Sequence, residues 1–515
     1  MTICLITPPS AFLLDERVFM TLGILRVATV LEDAGHMVEL VDLSGVENFE
    51  QAIEVHARRS RARVFGITAT TPQLPAATKL AHAIRRVRSD ARLVLGGPHV
   101  TLVHAAARRE QRLGLPGRGL RALEHLHALF DVLVAGDGEQ AVLLAIGDTP
   151  PPLIDGDEPS SGLFLAGDRL AALPRPARHL VDVDSYRYEV DGVRALSVIA
   201  QLGCPFGCGF CGGRESPAFR RVRIRPTADV IAELRHLHET YGTCGFMFYD
   251  DELNVNRKMV ELMDAIARLQ DELAVEFRLR GFVKSELFTA AQADALYRAG
   301  FRWILTGFES GSPRILRNIN KKATRDDNTR AVDIAHGRGL KVKALMSVGH
   351  PGESADTIRD THDWLLEVRP DEFDVTVITT YPGTPYYDYA VPHASESGTW
   401  VYTVNDDRLY SLEVDYTTTA DYYKGDPDGG YQAFVYTDYL SRDELVTLRD
   451  HVERDTRTRL GLPFLRPAAM LRYEHSMGQG MLPPSMLRSS KPRPAAPGHT
   501  GAESTTVDDS LLGVT

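Results

Sequence analysis

Residues 204–211 read Cys204-Pro205-Phe206-Gly207-Cys208-Gly209-Phe210-Cys211, and this octapeptide holds three of the five cysteines in a chain of 515 residues. It directly follows an apolar run, residues 196–201, that reads as a strand. Five glycines between positions 203 and 213 let the backbone wrap closely round a bulky group. A structural zinc site normally takes four protein ligands, and no fourth partner lies at a matching spacing. A redox dithiol needs two cysteines, not three. A [4Fe–4S] cluster held by three thiolates explains the count, because one iron is then left open for an external ligand. Cys4, inside the first strand, and Cys244, near the start of another, read as buried small hydrophobes.

Working outward, the segment from about 195 to 385 alternates candidate strands (196–201, 246–249, 276–280, 303–307, 341–348, 374–379) with amphipathic helices. Six βα units predict a partial (β/α)6 TIM-type barrel with its chemistry at the carboxyl ends of the strands. Upstream, residues 1–145 repeat the alternation, with candidate strands at 3–7, 37–42, 64–68, 92–95 and 132–135. This predicts a Rossmann-like, doubly wound parallel sheet. Gly66, Gly96-Gly97-Pro98 and Gly136-Asp137-Gly138 fall just past its strand ends, where such folds bind ligands. The segment at about 104–128 reads as an inserted helix and loop. Residues 146–194, with Pro150-Pro151-Pro152, read as a linker. Residues 386–475 form a tyrosine-rich C-terminal region, small and α/β or helical; 12 of the 18 tyrosines lie within 381–439. Residues 476–515, rich in Pro, Ser, Gly and Ala, read as a disordered tail.

Composition narrows the function. A formal net charge of −11 argues against nucleic acid as the main partner, which needs a basic surface. Five cysteines in 515 residues make no disulfide scaffold, so a reducing cytoplasm is the expected compartment. No apolar run approaches the roughly 18 residues of a membrane span, and the N-terminal run, broken by Pro8-Pro9, reads as a buried strand followed by a turn rather than a signal peptide.

Three further motifs follow the cysteine loop at successive strand ends: Phe248-Tyr249-Asp250-Asp251-Glu252-Leu253-Asn254, Gly307-Phe308-Glu309-Ser310-Gly311-Ser312 with Asn320-Lys321-Lys322 downstream, and Gly349-His350-Pro351-Gly352-Glu353 with Tyr381-Pro382-Gly383-Thr384-Pro385 later. With C-x3-C-x2-C and an aromatic residue before the third cysteine, this set resembles the radical S-adenosylmethionine (SAM) superfamily. In the first domain the G-x-G-x-x-G fingerprint is absent after the first strand. Instead, Ile6-Thr7-Pro8-Pro9, Leu22-Gly23-Ile24-Leu25, Gly96-Gly97-Pro98-His99 and Gly136-Asp137-Gly138-Glu139 resemble the cobalamin-binding domain fused to such barrels. Over residues 1–440 the order is similar to the class B radical SAM methyltransferase-like family.

The resemblance implies three cofactors: a [4Fe–4S] cluster on Cys204, Cys208 and Cys211, SAM, and cobalamin. It places Glu309 at the SAM ribose and Asp250, Asp251 and Glu252 near the methionine end, with Ser310 and Gly349 also at the SAM site. Gly96, Gly97, Gly136 and Gly138 make the corrin platform. His350 stands where relatives commonly carry an apolar residue, and reads as a loop histidine. No D-x-H-x-x-G motif offers cobalt a histidine, His99 being the one candidate; no catalytic side chain is assigned. The implied activity is C-methylation of an unactivated carbon of a small molecule, free or carrier-bound, in antibiotic or other natural-product biosynthesis. An external flavodoxin- or ferredoxin-like donor supplies the electron. A cobalamin-dependent rearrangement, cyclisation or ring contraction is the alternative.

Overall fold

Short aliphatic and β-branched runs, each followed by an amphipathic helix, build the first sheet. β1 (Thr2–Thr7), β2 (Met37–Asp42), β3 (Val64–Thr68), β4 (Arg92–Gly96), β5 (Val132–Gly136) and β6 (Leu153–Gly156) are parallel, in the order β2-β1-β3-β4-β5-β6. The order reverses between β1 and β3, which opens a crevice at the carboxyl ends of the strands. The computed structural model describes residues 1–10, 13–114, 117–419, 432–464, 470–473 and 482–490. α1 (Leu22–Asp33), α2 (Phe49–Arg59), α3 (Leu74–Val87), α4 (Pro98–Leu113), α5 (Arg118–Leu129) and α6 (Gly138–Ala145) cover the sheet. The face carrying α1 and α6 shares one apolar core with the next domain: Leu25, Leu31 and Val142 belong to the same buried cluster as Leu234 and Phe246.

Within residues 1–156, two segments differ from the sequence reading. β6 lies inside the stretch read as a linker, and pairs with β5 from Leu133 to Gly136. Its four residues are too few to show a period. The stretch at about 104–128, which reads as one inserted helix and a loop, instead belongs to two helices, α4 and α5.

The second sheet begins with the hairpin β7 (Glu189–Val190) and β8 (Val193–Val198). A two-residue antiparallel pair, β9 (Gln201–Leu202) and β10 (Arg223–Ile224), then frames the cysteine loop. β11 (Gly245–Phe248), β12 (Arg278–Phe282), β13 (Phe301–Glu309), β14 (Lys341–Val348) and β15 (Glu372–Val377) complete a sheet ordered β15-β14-β13-β12-β11-β8-β7. β8 and β11–β15 are parallel, and β8 does not pair with β15, so the barrel is partial and open.

The tyrosine-rich region is mainly an antiparallel sheet, β16 (Val391–Pro392), β17 (Thr399–Val404), β18 (Asp407–Leu412) and β19 (Val435–Thr437). The helix Arg442–Leu460 follows, started by a capping box between Ser441 and Glu444. It lies along β15, where buried Arg449 and Arg457 donate to the carbonyls of Val375 and Phe373. Within the tyrosine-rich region, residues 420–431 lie outside the described residues. So does the tail beyond 490, but β20 (Leu487–Ser489), within the stretch read as disordered, adds antiparallel to β2. Among the described residues no helix is long and apolar enough to cross a membrane.

Candidate functional site

The cysteine loop leaves the end of β8 under the control of two carboxylates from the end of β11. Asp250, 1% exposed, accepts from the amides of Ala200 (3.0 Å) and Gln201 (2.5 Å), and Asp251 accepts from that of Gly203 (2.8 Å). Burial pushes Asp250 up to about 7, which these amides offset only in part. The loop is also tied to the Asn320 turn: the amide of Gly209 donates to the carbonyl of Ile319 and Asn320 Nδ2 to that of Gly207. Cys208 packs on Ile315 and Ile319. Cys211 is the exposed member of the three, although protein atoms crowd round it, while Cys208 is buried and Cys204 half-buried. Burial raises the Cys211 thiol to about 12 and that of Cys204 to about 11; it raises Cys208 as well.

Glu309 is aimed by a bulge. The register between β13 and β14 slips between Gly307 and Glu309, and Glu309 takes φ +67°, the left-handed region that non-glycine residues rarely adopt. Its side chain folds back over Gly307, where any Cβ would collide with the carboxylate and crowd Lys321 Nζ. Lys321 Nζ donates to Oε1 (3.1 Å) and Ser347 Oγ to Oε2 (2.9 Å). Glu252 lies close enough to couple electrostatically with Lys321, Lys284 and Glu309; burial raises it to about 7. Ser310 points elsewhere, its Oγ meeting Thr361 Oγ1 (3.1 Å) and accepting from the amide of Ser312. Gly349, at φ +93°, gives its amide to Glu353.

A cavity of about 460 Å3 lies between the two sheets. Gly96, Gly97, Gly136 and Gly138 line it from the first sheet, and Gln201, Gly203, Tyr249 and Asp251 from the barrel mouth. Tyr249 is held against Phe19 and Phe282 (ring centroids at 4.9 and 6.1 Å) yet stays 47% exposed, towards this space. The seam is fastened by Arg223, which pairs with Asp137 at 2.5 Å. Asp157 also crosses it, accepting from Ser216 Oγ and the amide of Ala218. Leu102 of α4 sits against Gly212 and Gly383, so the first domain abuts the cysteine loop itself.

The residues lining this cavity include no histidine. His99 lies in a separate, smaller cavity with Nδ1 at 3.0 Å from Thr71 Oγ1, and burial depresses it to about 3. Cys4 is buried as expected, with Sγ 3.6 Å from His56 Nε2. His350 is no plain loop residue: it is fully buried, with partners on both ring nitrogens. Sequence reasoning gave no role to Lys284, Ser347 or Tyr386. Ser347 lies within the β14 stretch two residues before a motif glycine, which was the signal for it.

These residues fit the implied cofactors. Among the described residues the only trio of Cys, His, Asp or Glu ligand atoms within 4.8 Å of one another is Cys4, Glu39 and His56. At least one pair of the loop thiols therefore stands more than 4.8 Å apart, wider than the ~3.8 Å that a tetrahedral zinc ion imposes on its sulfurs and compatible with a larger cluster. The cavity walls are largely aliphatic (Leu5, Ile24, Val27, Ile67, Val94, Val134), and a Cβ on Gly23 would meet nothing within 4 Å. Two lining residues carry buried polar atoms without a protein partner, Gln201 Oε1 and Arg223 Nε. A broad apolar surface with a few polar contacts suits a corrin rimmed by amides.

Comparison with known proteins agrees. Residues 198–365 match the model of the radical SAM superfamily, and residues 16–127 that of the B12 binding domain. An uncharacterized methyltransferase of Pyrococcus horikoshii is 28% identical over 408 residues, spanning 76% of this chain and 83% of its own length. The anaerobic magnesium-protoporphyrin IX monomethyl ester cyclase of Cereibacter sphaeroides is 26% identical over 347 residues, 64% of this chain and 53% of that protein. The radical SAM methyltransferase TsrM of Kitasatospora setae, solved with cobalamin and a [4Fe–4S] cluster, shares the fold with a TM-score of 0.59 at 19% identity, over 78% of this chain and 81% of that one. The chain thus carries a B12 binding domain leading into a radical SAM domain, with the cysteine loop at the mouth of the barrel.

Proposed function

We propose that the protein is a cobalamin-dependent radical SAM C-methyltransferase acting on an unactivated carbon of a small molecule, in the biosynthesis of a natural product such as an antibiotic. The observation that carries this reading is the single cavity lined by the strand-end glycines of the first sheet and by the barrel mouth. When bound, the cluster supplies the electron that cleaves SAM to methionine and a 5′-deoxyadenosyl radical, and cobalamin supplies the methyl group that a substrate carbon radical captures. An sp3 carbon without an acidic proton has no lone pair for ordinary methyl transfer, so such a substrate needs both.

In this reading Cys204, Cys208 and Cys211 hold three irons and Glu309 receives the SAM ribose. Asp251 and Glu252 lie towards the methionine end, while Asp250, occupied by two main-chain amides, supports the strand end. Gly96, Gly97, Gly136 and Gly138 carry the corrin, and Ser310 and Gly349 shape the SAM site from behind. The closed seam at Asp137–Arg223 helps keep water from a reactive radical. The substrate is a small molecule, free or carrier-bound, and a low-potential flavodoxin- or ferredoxin-like protein of the cytoplasm supplies the electron. The similarity to the Cereibacter cyclase supports a second reading, a cobalamin-dependent cyclisation or rearrangement.

The test is anaerobic reconstitution with iron, sulfide and hydroxocobalamin, then turnover with SAM and a candidate metabolite pool. Substrate-dependent formation of both 5′-deoxyadenosine and S-adenosylhomocysteine is expected, and C208A abolishes the former while retaining cobalamin. Deoxyadenosine alone selects the second reading.

A further inference from the structure

A continuous chain of buried polar side chains runs from the cysteine loop to Glu309, and its central member is the histidine that departs from the family pattern. His350 Nε2 lies 2.8 Å from Ser347 Oγ, and His350 Nδ1 lies 3.3 Å from the Tyr386 hydroxyl. Ser347 Oγ donates to Glu309 Oε2 at 2.9 Å, and Lys321 Nζ closes the chain on Oε1 at 3.1 Å. Tyr386, His350, Ser347 and Lys321 are all 5% exposed or less.

The donor inventory gives this chain one direction. The carboxylate paired with Lys321 only accepts, so the single hydroxyl proton of Ser347 goes to Glu309. The Ser347 oxygen must then accept from His350, which puts the imidazole proton on Nε2. Nδ1 is left as an acceptor and takes the Tyr386 O–H. Burial and the nearby Lys321 charge hold His350 neutral, its pKa depressed to about 3. Every proton is thereby assigned, and Glu309 keeps lone pairs free for a ligand.

The far end of the chain is fixed to the cluster loop. The amide of Tyr386 donates to the carbonyl of Gly209, between Cys208 and Cys211, at 3.0 Å. The Tyr386 ring lies so close over Gly209 that no Cβ fits there. The ring of Phe210 meets His350 edge-on at 5.4 Å. A tyrosine hydrogen-bonded to the loop and a phenylalanine of the loop thus both meet the imidazole edge-on.

We propose that His350 is a positioning residue. Through Ser347 it holds the Glu309 carboxylate in the orientation that receives the SAM ribose, and through Tyr386 it registers that carboxylate against the loop that carries the cluster. This rests on the reading of Glu309 as the ribose acid. An apolar residue at 350 leaves Ser347 without its donor, free to rotate away from Glu309.

The experiment measures SAM affinity of the reconstituted, cobalamin-loaded enzyme by equilibrium dialysis and by the change of the reduced-cluster EPR signal on adding SAM. H350F and S347A are each expected to weaken SAM roughly tenfold, the scale of one hydrogen bond to a charged group. The double variant is no weaker than either single one, because both break the same chain. H350Q, whose amide can still donate to Ser347, stays within about threefold of wild type. KM for SAM rises more than kcat falls, and cobalamin content is unchanged. SAM affinity in S347A and H350F within twofold of wild type overturns the proposal, as does additivity in the double variant. If H350F fails to fold, S347A against H350Q decides. A wild-type EPR signal indifferent to SAM overturns the reading of the whole site and this proposal with it; a responsive wild type with unaffected variants overturns the positioning role alone.

Discussion

Glu309 and Lys321 form a 3.1 Å ion pair with side-chain exposures of only 11% and 6%. Burial disfavours the lysine's charge, but Glu309, Cys208 and Glu252 outweigh it and hold its pKa above the ordinary value. Lys321 therefore offsets the charge of Glu309 in a site that also gathers Glu252 and Cys208.

Removing one member of a buried pair leaves the other charge uncompensated, which costs about 3–5 kcal/mol. K321M is expected to lower the stability of the apo-protein on that scale in urea unfolding. The double variant E309Q/K321M recovers most of the loss, yet binds SAM poorly because the ribose acid is gone. If K321M alone is as stable as wild type, Glu309 is not held as a charged group.

Gly23 separates cobalamin binding from folding. It sits in the first turn of α1, lines the wide cavity, and has open space where a Cβ would stand. G23A is expected to be neutral or stabilising by up to about 1 kcal/mol, since glycine weakens a helix. G23F fills the space and is expected to lose most bound cobalamin by its visible spectrum, with little change in Tm. G136A makes a poor control: Gly136 has φ +75° and a Cβ there would strike the backbone at Asp157, so it perturbs the fold itself.

Asp388 gives a pH signature. It accepts from the amide of Gly383 at 3.0 Å, its Oδ2 is buried without a partner, and burial lifts its pKa to about 7. In the unfolded chain it titrates near 4. Between these values the folded state binds the extra proton, so stability falls as pH rises from about 4 to 7. D388N keeps the acceptor and removes the charge. Its Tm advantage over wild type is expected to grow across that interval and to level off above about pH 7. An advantage independent of pH contradicts the assignment.

The parts of this molecule carried by local patterns were legible in the sequence. The Cys204–Cys211 loop, the parallel strands and the strand-end glycines announce themselves through spacing and periodicity. What escaped was set by tertiary contact. β6 and β20 are too short to show a period and join the first sheet only because an edge is open to them. The antiparallel β16–β19 sheet hides in a tyrosine-rich stretch whose alternation is broken by turns. His350 read as a loop residue because nothing local reveals that Ser347, Tyr386 and Phe210 converge on it. Asp250 and Asp251, adjacent in sequence, do different work: the first is occupied by two main-chain amides, the second also lines the cavity.

The central claim is that methyl delivery at the first sheet and radical formation in the barrel act on one substrate carbon. Its most direct measurement is turnover of the fully reconstituted enzyme with SAM carrying a CD3 methyl group, followed by mass spectrometry and NMR of the product. The expected result is one intact CD3 group on a carbon of the product, formed together with 5′-deoxyadenosine and S-adenosylhomocysteine and lost in C208A and G23F alike. A modified product free of label, or labelled on nitrogen or oxygen, contradicts it.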